Sequence, residues 1–409
     1  MRRSNRRSFL RTAAAGSSVM TFGGIAPSFL RAAARHSAVE GRRLVVVELA
    51  GGNDGLNTVV PFKHSEYRKA RPTLALSQSD TLSINSELGL NPALRGFADL
   101  LEDNKLCIVQ GVGYDQPNRS HFESMDIWHT CLRKDEIRES GWLGRYLESN
   151  PLTDSTDPQA IHLGSDKQPF ALMSRSVRSP SIRSLNEFRM QGAEDEEFRA
   201  AVEELAEARR DGGDGLLDFV QSSTSSALAA SERIAATGRN YRPSVEYPST
   251  DLARKMQTIA QLIDAELSSN VYYVQLDGFD THAQQAGAHT SLLRQLGDAV
   301  DAFLTDISAH GHGEQVVVMC FSEFGRRVAE NASKGTDHGT AGPMFIAGEP
   351  VNPGVLGSHP SLSRLQDGDL KHHTDFRRVY AALLEDWLGC DSEAILLGRY
   401  SPVKAIRKA

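Results

Sequence analysis

The chain has 409 residues, 40% of them hydrophobic, which is ample for a large buried core. Its formal net charge is −7, but residues 1–40 carry seven Arg and one Glu, so residues 41–409 carry −13. An acidic body of this kind does not favour nucleic-acid binding. The length predicts two or three domains, or one α/β domain with insertions. The four widely spaced cysteines exclude a zinc ribbon and a disulfide scaffold, and leave one disulfide open.

Residues 1–40 are predicted to be a targeting segment. The stretch NRRSFLR, residues 5–11, matches the twin-arginine export signal, and Ala32 to Ala34 offers a cleavage site that would remove residues 1–34. The alternative for this segment is a basic amphipathic helix. It explains less well why Phe9-Leu10 follow the paired arginines at the spacing of the export signal. The segment predicts handling by the twin-arginine translocase and an exported location, in the periplasm or at the cell surface. Such substrates cross the membrane folded, often with a metal or cofactor already inserted.

The first predicted strand is apolar and is followed by an acidic turn. Leu44 to Val47 read as a strand buried on both faces, and the chain then breaks into Gly51-Gly52-Asn53-Asp54-Gly55. In an open parallel sheet, functional groups gather beyond the carboxyl ends of the strands. Asp54 is therefore a candidate ligand or catalytic group, with a plain Asn-Asp-Gly turn as the alternative.

A helix beginning near Asn91 and a second strand, Lys105 to Gly111, follow. The order strand, helix, strand predicts a parallel, doubly wound α/β sheet. Directly after the second strand, Ser120 is predicted at a helix N-terminus, where free N–H groups and the helix dipole favour an anion. Arg119 adds a positive fork. An ordinary N-cap is the alternative for Ser120.

The middle of the chain, about residues 175–250, has a different character. The pattern of residues 193–210 predicts a charged helix with a thin apolar stripe, and serine- and alanine-rich sequence follows. This stretch predicts a helical insertion in a single domain that spans residues 41–409.

Two later strands, Val271 to Leu276 and Gln315 to Phe321, also end in acidic or imidazole side chains. A loop and a last helix, about Asp375 to Leu388, complete the chain. Carboxylate and imidazole together suit Zn²⁺, Mn²⁺ or a similar ion, although each group taken alone reads as a satisfied turn. The groups after the strands and in the loop are Asp277, Asp280, His282, Glu323, Asp337 and His338. Arg326 and Arg327 are further candidates for holding an anion, and His372 and His373 are predicted at the surface.

Several long motifs carry a family resemblance. They are the twin-arginine segment, LAGGNDGLNTVVP, PNRSHFESMDIW, GWLGRYL, LDGFDTHAQQ, SEFGRRVAENASKGTDHG and the last helix. With these motifs the chain resembles the exported bacterial family known as domain of unknown function 1501, which in turn is similar to the alkaline phosphatase and sulfatase superfamily. The resemblance covers all but the helical middle. It implies an α/β fold, with a mixed, mostly parallel sheet and helices on both faces. It also implies a hydrolytic centre with one or two metal ions at the strand ends.

The resemblance also implies roles for single residues. Asp54 matches the superfamily's first metal ligand, and Asp280 with His282 resembles the second cluster, with Asp277 as a rival. Glu323 stands where an Asp-His pair is usual, and His338 resembles the last histidine. The sulfatase motif has Cys or Ser before x-Pro-x-Arg, but this chain has Asp115, which cannot become formylglycine.

The resulting hypothesis is a metal-dependent hydrolase of phosphate or sulfate esters that does not use formylglycine. Ser120 would be the nucleophile, Arg119 would hold the anion, and the cofactor would be a divalent ion such as Zn, Mn or Ca. The partner would be a small anionic ester or a sulfated or phosphorylated glycan, with no nucleic acid. The alternative is a non-catalytic member of the fold that binds a glycan or a protein. The predicted ligands are Asp54, Asp280, His282, Glu323 and His338.

Overall fold

The computed structural model describes residues 41–152, 157–164, 167–184 and 241–407. The predicted signal segment, residues 1–40, lies outside the described residues. Most of the predicted helical insertion, residues 185–240, lies outside them too. The described part is built around one large sheet, and the site considered below lies along one edge of that sheet.

Nine strands form this sheet. The first is buried along its whole length because Val45, Val47 and Leu49 enter the core on one face, while Leu44 and Val46 enter the core on the other. The strands of the sheet are β1 (Arg43–Leu49), β5 (Leu106–Gly113), β6 (Ala160–Leu163), β7 (Ser181–Ile182), β8 (Val271–Leu276), β9 (Val316–Phe321), β10 (Gly342–Ala347), β11 (Gly354–Leu356) and β12 (Thr374–Asp375). Three short strands, β2 (Val59–Val60), β3 (Leu82–Ser83) and β4 (Gly89–Leu90), form a separate antiparallel sheet.

The strand order in the large sheet is β11-β5-β10-β9-β1-β8-β6-β7, with β12 beside β5. Neighbouring strands run parallel except at β10, which is antiparallel to both β5 and β9. Strands β5, β9, β1 and β8 therefore all end at the same edge. The predicted mixed, mostly parallel sheet is confirmed.

Helices cover both faces of the sheet, as predicted. One face is packed by α3 (Arg95–Glu102), α6 (Asp251–Asp264) and α7 (Gln285–Ala309). The other face is packed by α4 (His121–Thr130), α5 (Trp142–Ser149), α8 (Phe376–Ala382) and α9 (Ser392–Leu396). Two short helices, α1 (Gly55–Thr58) and α2 (Ser65–Ala70), follow the first strand along the chain. None of the helices in the described ranges is both long and apolar enough to cross a membrane.

Two helices differ from their predicted bounds. Asn91 closes a turn through its side chain, which accepts a hydrogen bond from the Ala93 amide at 3.0 Å, and α3 begins only at Arg95. The last long helix changes from α-helix to a π-helical turn over Leu383–Trp387. All four cysteines are free, and Cys107, Cys131 and Cys320 are buried.

Candidate metal centre

Three adjacent parallel strands, β9, β1 and β8, deliver their following loops to one edge of the sheet. The turn after β1 has positive φ at Gly51 (+112°) and at Gly52 (+77°), a region that glycine occupies without strain. A Cβ on Gly51 would lie 2.4 Å from the amide nitrogen of Asp280. The glycine pair therefore lets the loop after β1 approach the loop after β8 closely.

A buried arginine joins these loops. Arg326, 2% exposed, donates from Nε to the Gly52 carbonyl at 2.6 Å and from Nη1 to the Thr336 carbonyl at 2.8 Å. Its Nη2 donates to the carbonyls of Gly51 and Phe279 and to Oδ1 of Asp280, which lies 2.8 Å away. One guanidinium thus fixes the loops that follow all three strands.

Four side chains converge in front of this guanidinium. Oδ1 of Asp280 lies 2.9 Å from Nε2 of His282, 3.0 Å from Nε2 of His338 and 3.4 Å from Nε2 of His121. The Nε2 atoms of His282 and His338 are 2.9 Å apart. His121, Asp280 and His338 offer ligand atoms that all lie within 4.8 Å of one another, as a metal-binding group requires.

The other ring nitrogen of each histidine faces an oxygen that can only accept. Nδ1 of His282 is 3.0 Å from the carboxylate of Asp337, Nδ1 of His338 is 2.8 Å from the Arg119 carbonyl, and Nδ1 of His121 is 2.7 Å from Oε1 of Glu323. In each of these contacts Nδ1 is the donor, and Nε2 of each ring faces the centre. The Nε2 atoms of His282 and His338, 2.9 Å apart, repel each other unless a proton or a cation lies between them. The geometry fits a divalent ion that prefers imidazole and carboxylate ligands.

Charges around the centre shift the pKa of three members. The hydrogen bond to Glu323 raises the pKa of His121. Partial burial opposes ionisation of Asp280, but hydrogen bonds from Arg326 and His338 hold its pKa below the usual value. Hydrogen bonds from Asn331 and His282 lower the pKa of Asp337. Both carboxylates are thus held in the ionised form.

The structure brings three of the predicted ligands, Asp280, His282 and His338, into direct contact. Glu323 forms no hydrogen bond with these three residues. Its carboxylate instead accepts hydrogen bonds from Nδ1 of His121 and from the Gly51 amide. The carboxylate of Asp54 is 1% exposed and instead accepts hydrogen bonds from Arg71 and Gln285. Although burial raises its pKa, the ion pair with Arg71 keeps that pKa below its usual value. The role of Asp54 as a ligand stays a prediction, and the centre described here does not use it.

The two predicted catalytic residues lie beside the centre. Ser120 is the exposed N-cap of α4, as its position predicts, and His121 follows it directly. The guanidinium of Arg119 binds the buried carboxylate of Asp369, while its carbonyl accepts from His338. Asp277 is exposed and accepts from the Gly278 amide at 2.7 Å.

His121 was not among the ligands predicted from the sequence. Its one sequence signal is its place in the first turn of the helix after β5, at the same edge as the other strand ends. A second polar group was also missed, deeper along this edge. Glu48 on β1 accepts hydrogen bonds from Tyr273 and from Nε2 of His129, which is 3.1 Å away, and all three side chains are buried.

A sequence profile described as "Protein of unknown function (DUF1501)" matches residues 109–395. The chain belongs to this family. The match includes His121, Asp280, His282 and His338, so all four converging groups of this DUF1501 protein come from the matched region. No curated protein sequence matches the chain.

Solved structures with a similar arrangement share little sequence with this DUF1501 protein. The lipoteichoic acid synthase LtaP from Listeria monocytogenes is 9% identical, with a TM-score of 0.38 over 90% of this chain and 77% of that one. The zinc complex of the C-terminal periplasmic domain of EcEptC from Escherichia coli is 9% identical, with a TM-score of 0.37 over 75% of this chain and 73% of that one. An alkaline phosphatase superfamily protein from Vibrio parahaemolyticus is 8% identical, with a TM-score of 0.40 over 88% of this chain and 69% of that one.

Proposed function

We propose that this protein is a metal-dependent hydrolase of phosphate or sulfate esters. The observation that carries the proposal is the common orientation of three histidines. Each has Nδ1 against an oxygen acceptor, which turns Nε2 of His121, His282 and His338 towards Asp280, where an ion could bind. Imidazole and carboxylate ligands, such as the group of His121, Asp280 and His338, suit zinc or manganese better than calcium, which prefers oxygen ligands.

A bound divalent ion would supply Lewis-acid polarisation of the ester. The residues of the chain hold and orient that site. Glu323 fixes the ring of His121, Asp337 fixes that of His282, and Arg326 keeps Asp280 ionised in front of them. Ser120, the N-cap of α4, is the hydroxyl proposed to attack the ester. Arg119 contributes through its carbonyl, because its guanidinium is engaged by Asp369.

Export belongs to the same proposal. The motif NRRSFLR in residues 5–11 supports export through the twin-arginine translocase, followed by removal of residues 1–34. The mature protein would then act in the periplasm or at the cell surface. Intact-mass measurement of the exported protein tests this part, and a mature form that still begins at Met1 would contradict it.

The metal test comes first. Protein purified without chelator is analysed for metals as wild type, His282→Ala and His338→Ala, with His372→Ala as the control histidine outside the centre. We expect about one ion per wild-type chain, strongly reduced occupancy in both site variants, and unchanged occupancy in the control. A wild type without metal, even after incubation with Zn²⁺ or Mn²⁺, would refute the proposal and favour the non-catalytic binding protein.

The activity test uses aryl phosphate, phosphodiester and aryl sulfate substrates with wild type, Ser120→Ala and His282→Ala. We expect metal-dependent hydrolysis in the wild type and a loss of at least about 100-fold in both variants. Ser120→Ala should retain its metal. Unchanged turnover in that variant would remove Ser120 from the mechanism.

A further inference from the structure

The candidate metal centre lies on one side of a cleft of about 740 Å³. His121, Asp280 and Glu323 line the side that holds the centre. Four large apolar side chains line the same cleft, namely Phe122, Met125, Phe170 and Met173. A cleft of this size accommodates a small organic molecule next to the four converging groups.

The apolar side of the cleft is exposed. Phe122 follows His121 in α4 and is 88% exposed, and Met173 is 41% exposed. Within the described residues, four large apolar side chains are exposed to this degree, and Ile137 and Leu397 are the other two. Half of that group thus lies in the one cleft that also contains the centre. Apolar side chains grouped beside polar groups in this way are typical of a ligand-binding surface.

The cleft offers few positive charges. Its described lining contains the five carboxylates of Glu48, Asp126, Asp277, Asp280 and Glu323, against Lys167 as the only Lys or Arg. The arginines around it are already engaged by carboxylates. Arg119 binds Asp369, Arg138 binds Glu123 and Asp126, and Arg326 binds Asp280. A ligand with several anionic groups would find no set of free guanidinium groups here.

On the basis of the proposed function, we propose that the cleft selects esters whose leaving group is uncharged, apolar and aromatic. The single anionic group of such an ester would lie against the centre, and its ring would pack on Phe122. Polyanionic esters would be disfavoured, because their additional charges would face the carboxylates of the cleft. This narrows the substrate class predicted from the sequence and excludes its heavily sulfated or phosphorylated members.

Binding without turnover tests the proposal. The probe is 2-naphthol, an aromatic alcohol that is not an ester, titrated into purified full-length protein by calorimetry, with inositol hexakisphosphate as the polyanion. We expect naphthol to bind, Phe122→Ala to raise its Kd about three- to tenfold, and Phe122→Trp to retain binding. Ile137→Ala, which removes an equally exposed apolar side chain outside the cleft lining, should leave the Kd unchanged.

Two results would overturn the proposal. One is a naphthol Kd that is the same in Phe122→Ala and wild type, and the other is tighter binding of inositol hexakisphosphate than of naphthol. Neither binding measurement depends on hydrolysis. A protein that is inactive or free of metal would therefore refute the proposed function, and the naphthol titration would still decide whether the cleft binds an aromatic ring. Conversely, the protein could bind metal and hydrolyse esters while giving one of these two binding results. That outcome would support the proposed function and contradict only the proposed substrate class.

Discussion

The guanidinium of Arg326 lies against the carboxylate of Asp280, with Nη2 2.8 Å from Oδ1. The same guanidinium holds carbonyl groups in the loops after β1, β8 and β9. Asp280 therefore receives a permanent positive partner, and the loop that carries it is fixed before any ligand binds. This contact links the fold of the edge directly to the geometry of the candidate centre.

Arg326→Lys should disrupt both the fold of this edge and the geometry of the candidate metal centre. One ammonium group cannot reach the carbonyls of Gly52, Thr336 and Phe279 together, so several buried acceptors would lose their donor. We expect the free energy of unfolding to fall by about 3 kcal/mol and the affinity for metal to fall with it. Urea unfolding and metal competition with a chelator measure the two effects. Arg327→Lys, at the half-buried neighbouring arginine, is the matched control, and equal effects in both variants would contradict the role of Arg326.

Glu323→Gln should weaken metal binding with little loss of stability. The carboxylate accepts from Nδ1 of His121, and a neutral amide would hold that ring less strongly in the orientation that directs Nε2 at the centre. We expect the Kd for Zn²⁺ to rise about 10- to 100-fold. Asp277→Asn removes an exposed carboxylate from the same edge and should change the Kd little. A variant that binds zinc as tightly as wild type would show that Glu323 does not orient His121.

Arg71→Met should be strongly destabilising. Arg71 and Asp54 form an ion pair in which both side chains are 0% exposed, so removing the arginine leaves a buried, uncompensated carboxylate. We expect a loss of about 3–5 kcal/mol in the free energy of unfolding, part of which the double variant with Asp54→Asn recovers. Metal content distinguishes this structural role from the predicted ligand role. Asp54→Asn should keep its full complement of metal, and a loss of metal would restore Asp54 as a ligand.

Acidification should destabilise the protein through His289. Its Nε2 donates to the side chain of Asn53 at 2.9 Å, and burial lowers its pKa to about 4 in the folded state. In the unfolded chain the pKa is about 6.5, so below that pH the unfolded state binds a proton that the folded state does not. This contribution is fully present above about pH 6.5 and is lost as the pH falls towards 4, which amounts to about 2 kcal/mol at pH 5.

The measurement is the difference in urea midpoint between pH 7 and pH 5 in wild type and in His289→Gln. Glutamine can donate the same hydrogen bond but does not titrate. The variant should therefore show a smaller decrease on acidification, and other groups such as His359, which occur in both proteins, cancel. An identical decrease in the two proteins would show that His289 contributes nothing.

Much of the edge could be predicted because apolar strands and the groups after them are consecutive in sequence. The strands at Leu44, Val271 and Val316 and their positions at one edge follow from that pattern, and so does the contact among Asp280, His282 and His338. Pairing between distant residues could not be predicted in the same way. Asp54 and Glu323 have the same sequence context as Asp280, but their partners lie outside that context: Arg71 is 17 residues from Asp54, and His121 is 202 residues from Glu323. Nothing local in the sequence shows which carboxylate a buried arginine will neutralise.

The three buried cysteines have a consequence for how the protein folds. The sulfur atoms of Cys107, Cys131 and Cys320 pack as thiols within the core, and burial raises their pKa to about 12 or beyond. They are thus inert in the folded state, and the fold gains nothing from an oxidising environment. A chain of this kind can complete its folding in a reducing compartment, which is what the proposed export of an already folded protein would demand.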